Sequence, residues 1–290
     1  MTSRTPAGEG PASTFSIGGE FPVPRLGFGA MRLPTGPPAA RDGAIAVTRR
    51  AVALGVGLID TAHLYGWGAN EELLAEALHP YPDGLLVTTK VGVVRTEGPE
   101  GWAHDADPAS LRIQVEHGLR RLRTERIGLL QLHRVDPKVP VAEQVGALHE
   151  LRLEGKIGHI GLSEVTVEQL AEARRTAEIA SVQNRYNLMD REYEPVLGAC
   201  EAAGIAFLPW RPVAAATPGR AAELAAVAAE LGATTPQLLL AWLLARSPVM
   251  VPIPGTASLA HLTENVAAAG FRLSRAQLDR LEALAAPTVA

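Results

Sequence analysis

Asp60, Tyr65, Lys90 and His133 together offer an acid, a phenol, an ammonium and an imidazole, the groups a proton-transfer site needs. Asp60 ends the apolar run Val56-Gly57-Leu58-Ile59-Asp60, and Tyr65 follows it in Thr61-Ala62-His63-Leu64-Tyr65. Lys90 closes Leu85-Leu86-Val87-Thr88-Thr89-Lys90, and His133 closes Ile127-Gly128-Leu129-Leu130-Gln131-Leu132-His133. A phenol titrates at about 10 in water, too high to exchange protons readily at neutral pH. A nearby ammonium lowers that value, and a carboxylate paired to the ammonium holds it in place. A histidine at the same mouth can donate a hydrogen bond to a carbonyl oxygen. The set therefore composes a general-acid site for protonating an oxyanion, the species that hydride transfer to a carbonyl generates. Taken singly, each residue also has a plain structural role: Asp60 a loop cap, Lys90 a solvated strand end, His133 a satisfied polar group at a rim.

Four such residues at or just past the ends of successive short strands fit an α/β barrel, which keeps its active site on the face where its strands end. Apolar runs near 25–29, 56–60, 85–89, 127–132, 157–162, 181–184, 205–209 and 249–253 give eight candidate strands. Helical patterns fall after them near 42–54, 70–78, 108–122, 141–154, 167–175, 191–203, 235–246 and 258–268. An alanine-rich stretch, 213–232, and a terminal helix near 274–286 stand outside the alternation. Asp107-Pro108 and Thr235-Pro236 read as an N-cap followed by a first-turn proline. Thr166 with Gln169 and Ser274 with Gln277 fit the capping box. Thr14-Phe15-Ser16-Ile17 and Glu20-Phe21-Pro22-Val23 around Gly18-Gly19 predict a short N-terminal β-hairpin. The expectation is one (β/α)8 TIM barrel over 14–290, with that hairpin and a C-terminal helix, after a flexible N-terminus of residues 1–13. A doubly wound sheet fails: Gly27-Phe28-Gly29 lacks the third glycine of a phosphate loop, and proline-rich sequence follows.

Composition narrows the classes. With 290 residues, 47% hydrophobic and 20% charged, the chain has ample core. Its net charge of −4 gives no electrostatic reason to expect nucleic acid or an anionic membrane as partner. The run Arg120-Arg121-Leu122-Arg123 reads as a solvated helix end that complements the dipole. The single cysteine, Cys200, lies in a helical pattern and reads as a small core residue, not a thiol nucleophile. It also suggests a reducing compartment. No signal-like or membrane-length apolar run is present, so a cytoplasmic protein is expected. Metal binding by His63 and His133 is disfavoured, because no close His-x-His or Cys-x-x-Cys pair accompanies them. Ser163 lacks a nucleophile elbow.

Seven blocks in order carry a resemblance. They are Leu26-Gly27-Phe28-Gly29-Ala30-Met31, Ile59-Asp60-Thr61-Ala62-His63-Leu64-Tyr65-Gly66, Thr89-Lys90, Leu132-His133-Arg134-Val135-Asp136, Gly158-His159-Ile160-Gly161-Leu162-Ser163, Gln183-Asn184-Arg185-Tyr186-Asn187 and Ile253-Pro254-Gly255-Thr256. From about residue 14 to 286 the chain resembles the aldo-keto reductases. The second half is most similar to bacterial pyridoxal reductase-type members.

The resemblance implies NADPH-dependent reduction of an aldehyde or ketone to the alcohol. Tyr65 would be general acid, Lys90 the group tuning it, Asp60 the lysine's partner and His133 the carbonyl orienter. The cofactor would lie extended across the barrel mouth, against Gly29, Ala30, Met31, Asp60, Ser163, Gln183, Trp210, Arg211, Pro212, Ile253, Gly255, Thr256, Ser258, His261, Glu264 and Asn265. Ser163 and Gln183 would hold its carboxamide, Trp210 would stack on its nicotinamide, and Gly255 and Thr256 would face its phosphates. NADH is the alternative, since Gly255 and His261 stand where many members carry a lysine and an arginine for the 2′-phosphate. Glu164 departs from the family's serine or asparagine and has no evident purpose in the sequence. Met31, His63, Trp67, Trp102 and Trp210 are candidates for the substrate pocket. The implied partner is a small-molecule carbonyl compound, and the expected state is a monomer or small homo-oligomer. Two other readings are a specific pyridoxal reductase or pyridoxine 4-dehydrogenase, and a non-catalytic NADP(H)-sensing subunit of the kind found on potassium channels.

Overall fold

Short apolar runs separated by capped helices can bury themselves only against one another, and here they form a parallel sheet that curls until it closes. A computed structural model describes residues 14–98, 101–213 and 218–285. The expected flexible start, 1–13, lies outside the described residues. The strands are β1 (Thr14–Ile17), β2 (Phe21–Pro24), β3 (Phe28–Gly29), β4 (Leu58–Asp60), β5 (Leu86–Val91), β6 (Val93–Arg95), β7 (Trp102–His104), β8 (Ile127–Leu132), β9 (Ile157–Ser163), β10 (Ile179–Gln183) and β11 (Ala206–Phe207). The barrel staves run in the order β3-β4-β5-β8-β9-β10-β11, all parallel.

The eighth stave, expected at 249–253, forms no regular ladder but occupies the closing position. Phe207 N–H donates to Val249 O and Val251 N–H to Phe207 O, both at 2.8 Å. On the other edge Gly27 N–H donates to Pro252 O at 2.9 Å and Gly29 N–H to Pro254 O at 3.2 Å. Pro252 and Pro254 have no N–H, so this stave can only accept from β3, which is why the ladder is one-sided.

The hairpin β1–β2 plugs the barrel's base. Ile17 and Val23 pack with Leu58, Leu86, Leu129, Ala206, Leu208, Val251 and Ile253. Side chains alternate along a strand, so two residues beyond each of these inward apolar positions the same face continues. From Leu58 it reaches Asp60; from Leu86, Thr88 and then Lys90; from Leu129, Gln131 and then His133. The barrel interior thus changes from apolar at the base to polar at the mouth within one turn of the pattern.

Around this sheet pack α1 (Pro38–Ala53), α2 (Ala69–Leu78), α3 (Pro108–Leu122), α4 (Val141–Leu153), α5 (Val167–Thr176), α6 (Glu194–Ala203), α7 (Pro218–Leu231), α8 (Thr235–Arg246), α9 (Leu259–Ala267) and α10 (Arg275–Ala285). Asp107 caps α3 by accepting from Ala109 N–H at 2.9 Å, and Thr166 and Gln169 form the expected capping box. The cap of α8 is Thr234, one residue earlier than expected, because Gln237 reaches back to it and closes a capping box there. The antiparallel ribbon β6–β7 has no counterpart in the expected alternation. It places Trp102 on a strand, not in a loop.

Candidate active site

Asp60, Tyr65, Lys90 and His133 meet at the mouth of the barrel. Lys90 is fully buried and Asp60 is 2% exposed. Lys90 Nζ donates to Asp60 Oδ2 at 2.7 Å, to Thr61 O at 2.9 Å and to Tyr65 Oη at 3.4 Å. The other carboxylate oxygen of Asp60 accepts from Gln131 Nε2 at 3.1 Å and Gln183 Nε2 at 2.8 Å. A buried ion pair folds only if its remaining hydrogen-bonding capacity is met, and these two amides meet it. Burial works against the Lys90 charge, but Asp60 and Tyr65 outweigh it and the ammonium is held above its usual range.

The Tyr65 phenol is the reverse of the sequence-based expectation. Burial raises it above its ordinary value, and the opposing pull of Lys90 only partly offsets that rise. At neutral pH it is therefore a protonated donor. The His133 ring lies edge-on to Tyr65 with centroids 6.1 Å apart. Burial first, then the charges of Lys90 and Arg134, hold this imidazole well below its usual value. It is neutral, and its buried Nδ1 has no hydrogen-bond partner among the described residues.

Asp60, Tyr65 and His133 line a cavity of about 960 Å³, with Lys90 buried behind them, and Thr256, His261, Glu264 and Asn265 line it as well. Its size reaches the upper end of the range for small-molecule sites, about 300–1,000 Å³. Of the residues anticipated for the cofactor, Gly29, Met31, Asp60, Ser163, Gln183, Trp210, Arg211, Pro212, Ile253, Gly255, Thr256, His261, Glu264 and Asn265 are on the wall. Gly29 and Gly255 allow two backbones to touch there, since a Cβ on Gly255 would lie 2.7 Å from Gly29 O. Ala30 and Ser258 are not on the wall. Ala30 is wholly buried, with its carbonyl accepting from Asn70 Nδ2 at 3.0 Å. Ser258 caps α9 through His261 N–H.

Ser163 and Gln183 present complementary chemistry. Ser163 Oγ accepts from Arg134, leaving its own hydrogen uncommitted among the described residues. Gln183 gives its amide hydrogens to Asp60 and Gln131, leaving Oε1 as an acceptor. One donor and one acceptor are what a carboxamide requires.

Glu164, unexplained by the sequence, braces the aromatic wall. Its Oε1 accepts from Trp210 Nε1 at 2.6 Å and from Arg185 N–H at 2.8 Å, and its Oε2 from the Tyr193 hydroxyl at 3.4 Å. Its backbone sits at φ +55°, a conformation that side chains other than glycine rarely adopt. Glu164→Ala leaves three donors without their acceptor and is expected to cost about 1–3 kcal/mol in urea unfolding, with a changed Trp fluorescence. A variant within about 0.5 kcal/mol of wild type would show that the brace is idle.

The substrate-pocket candidates divide. Met31 and Trp210 line the cavity; His63, Trp67 and Trp102 do not. Trp102 packs edge-on against His104 within the ribbon, at 5.3 Å. His63 faces outward to Arg121, whose Nη2 lies 3.1 Å from its Nδ1, and Trp67 packs on His63 at 5.6 Å. Arg121 is also not the solvated helix end that the sequence suggested. Its side chain is 16% exposed and Nε donates to the buried Glu71 at 2.6 Å. Glu71 in turn accepts from Thr89, the neighbour of Lys90, at 2.6 Å. Gly68 makes room for this guanidinium: it has φ +97°, and a Cβ there would fall 2.5 Å from Arg121 Cδ. The network anchors the loop that carries Tyr65.

Burial and then the Arg121 charge lower His63 to about 4, from 6.5. A folded value below the unfolded one means that stability is fully present above about pH 6.5 and is lost as pH falls towards 4. His63→Gln should therefore flatten the acid side of the urea midpoint against pH. Parallel curves for variant and wild type would contradict the assignment.

Gln131 and Arg134 were missed as site residues. The signal for Gln131 was in plain view: one amide inside an apolar strand, two residues before His133 and so on the same face. Cys200 is buried in α6 and burial pushes its thiol up to about 12, so it is inert.

Comparison with known proteins agrees with this architecture. The aldo/keto reductase family model matches residues 25–286. An uncharacterised oxidoreductase of Schizosaccharomyces pombe is 46% identical, with 93% of this chain and 89% of that protein aligned. Pyridoxine 4-dehydrogenase of Escherichia coli is 42% identical over 94% of this chain and 98% of its own length. An aldo-keto reductase from Klebsiella pneumoniae, solved in complex with NADPH, superposes with a TM-score of 0.83 at 30% identity, covering 96% of each chain. With the family model spanning nearly the whole barrel and the Asp60, Tyr65, Lys90 and His133 cluster at its mouth, the chain belongs to the aldo/keto reductase family of oxidoreductases.

Proposed function

We propose that this protein reduces an aldehyde or ketone to the corresponding alcohol with NADPH, Tyr65 acting as general acid. The observation that carries the reading is the buried chain from Asp60 through Lys90 to Tyr65, ending beside a neutral His133 on the cavity wall. When bound, the cofactor supplies the hydride. Ser163 and Gln183 would hold its carboxamide, Trp210, braced by Glu164, would back the ring, and Thr256 with the first turn of α9 would take phosphate. The NADPH complex of the Klebsiella relative supports this choice of cofactor. NADH is the alternative, because no lysine joins Thr256 and His261 on that part of the wall.

At the reacting end, His133 donates a hydrogen bond that orients the carbonyl oxygen. Tyr65 delivers its proton to that oxygen as negative charge develops on it. Lys90 stabilises the phenolate that remains, and Asp60 fixes Lys90 against rotation. In the reverse direction the same phenolate accepts the proton of an alcohol.

The 42% identity to pyridoxine 4-dehydrogenase favours a second, narrower reading, in which the carbonyl is pyridoxal. Steady-state assays in both directions separate the readings: a carbonyl panel with NADPH, and pyridoxine with NADP. Broad carbonyl reduction supports the first and a preference for the pyridoxal–pyridoxine couple the second. No oxidation of NADPH by any carbonyl in the panel counts against both.

A further inference from the structure

Arg134 follows His133 at the end of β8 and lines the cavity beside it. Its Nη1 donates to His133 O at 2.6 Å and to Ser163 Oγ at 3.2 Å. Both hydrogens of Nη1 are therefore committed to the protein, which fixes the guanidinium between the histidine and the serine. Nε and Nη2 have no partner among the described residues. That free edge carries two parallel N–H groups, the pattern that pairs with the two oxygens of a carboxylate.

No acid answers this charge. The carboxylates on the cavity wall are Asp60, which is bonded to Lys90, and Glu264 on α9. Glu164, next in sequence to Ser163, is held by Trp210, Arg185 and Tyr193. Arg32 and Arg211 add positive charge to the same wall. A cavity with this charge attracts anions although the whole chain is negative. The phosphate-binding candidates Gly255, Thr256 and His261 belong to the last stave and α9, whereas Arg134 is held by the residues at the reacting end. The charge of Arg134 is felt at Tyr65 and His133.

We propose that Arg134 selects carbonyl substrates that carry an anionic oxygen next to the reacting carbonyl. Carboxylate and phenolate are the two forms of that chemistry: a 2-oxo carboxylate, or an aldehyde with an ortho phenolate, as in pyridoxal. The assignment rests on Tyr65 and His133 being the pair that binds the carbonyl oxygen. Arg134 lines the same cavity as that pair, and its selection requires the substituent on the neighbouring atom to meet the edge formed by Nε and Nη2.

Phenylglyoxylate and its methyl ester share one ketone and one ring and differ in the charge beside it. Pyridoxal and pyridine-4-carbaldehyde make the corresponding phenolate pair. The quantity to read is the ratio of kcat/KM within each pair, for wild type, Arg134→Met and Arg134→Lys. Arg134→Met is expected to lower the ratio about 100-fold, chiefly through KM, for the pair whose anion the site recognises. Arg134→Lys, with a point charge but no fork, should recover about tenfold of that loss. The pair that responds identifies which anion the edge accepts.

Calorimetric binding of phenylglyoxylate, of pyridoxal and of their partners to the NADP-loaded protein reads the same edge without turnover. A wild-type preference for the anion that Arg134→Met abolishes supports the subsite even if reduction is not observed, in which case the proposed reaction fails and the subsite stands. Ratios unchanged in both pairs would overturn it. So would equal losses for charged and neutral compounds together with weaker NADPH binding, which would assign Arg134 to the cofactor.

Discussion

Tyr65→Phe is expected to lower carbonyl-dependent oxidation of NADPH by about 10³-fold while leaving the dissociation constant for NADPH within about twofold. Only the hydroxyl is lost. The ring that packs edge-on to His133 at 6.1 Å remains, and so does every other residue of the cavity wall. Single-turnover absorbance and a fluorescence titration on one preparation separate the two quantities. Turnover within tenfold of wild type would assign the proton to another group. The pH dependence has a definite sign. Reduction requires the protonated phenol, and burial raises that group, so the rate should hold through neutral pH and decline only on the alkaline side. Because His133 is already neutral, its titration should not appear between pH 6 and 8.

Lys90→Met should have the second-largest effect, and on two observables. Asp60 would stay buried with Gln131 and Gln183 still donating to it but with no cation, a state that costs about 3–5 kcal/mol. Turnover should fall as well, because nothing then stabilises the phenolate left on Tyr65. Any residual activity should decline at higher pH than wild type, since the charge that pulls the phenol down is gone. Lys90→Met combined with Asp60→Asn distinguishes the two effects. Removing both charges should restore much of the stability and none of the rate. An unshifted pH profile in Lys90→Met, or recovery of rate in the double variant, would contradict the role given to Lys90.

What the sequence reveals about this site is governed by strand periodicity. Leu58 to Asp60, Leu86 to Lys90 and Leu129 to His133 are each read from alternation on a strand whose apolar base is unambiguous, and all three point where alternation says they should. The apolar run at 249–253 makes the closing stave visible too, although its prolines keep it from forming a full ladder on the edge facing β3. Loops obey no such rule. His63, Trp67 and Trp102 share the mouth of the barrel by sequence position, yet Arg121 draws His63 and Trp67 to the outside and the β6–β7 ribbon carries Trp102 away.

Arg121 itself shows why charge runs mislead. Its neighbours suggest a solvated face, and its partner Glu71 lies on another helix, fifty residues away, where only the fold brings them together. Glu164 is the converse. Its acid has no evident purpose in the sequence, yet the carboxylate accepts from Trp210, Arg185 and Tyr193. The direction of the Tyr65 shift was likewise beyond the sequence, because it depends on how completely the phenol is desolvated and not on which cation stands near it.

The most direct test of the central claim is a single turnover on the preformed complex with NADPH. Purified protein is titrated with NADPH, the stoichiometric complex is mixed with a carbonyl panel that includes pyridoxal, and cofactor absorbance is followed beside a Tyr65→Phe control. Micromolar binding by both proteins and carbonyl-dependent oxidation by wild type alone are the expected results. Binding with no oxidation by any carbonyl, or equal oxidation by both proteins, would contradict that claim.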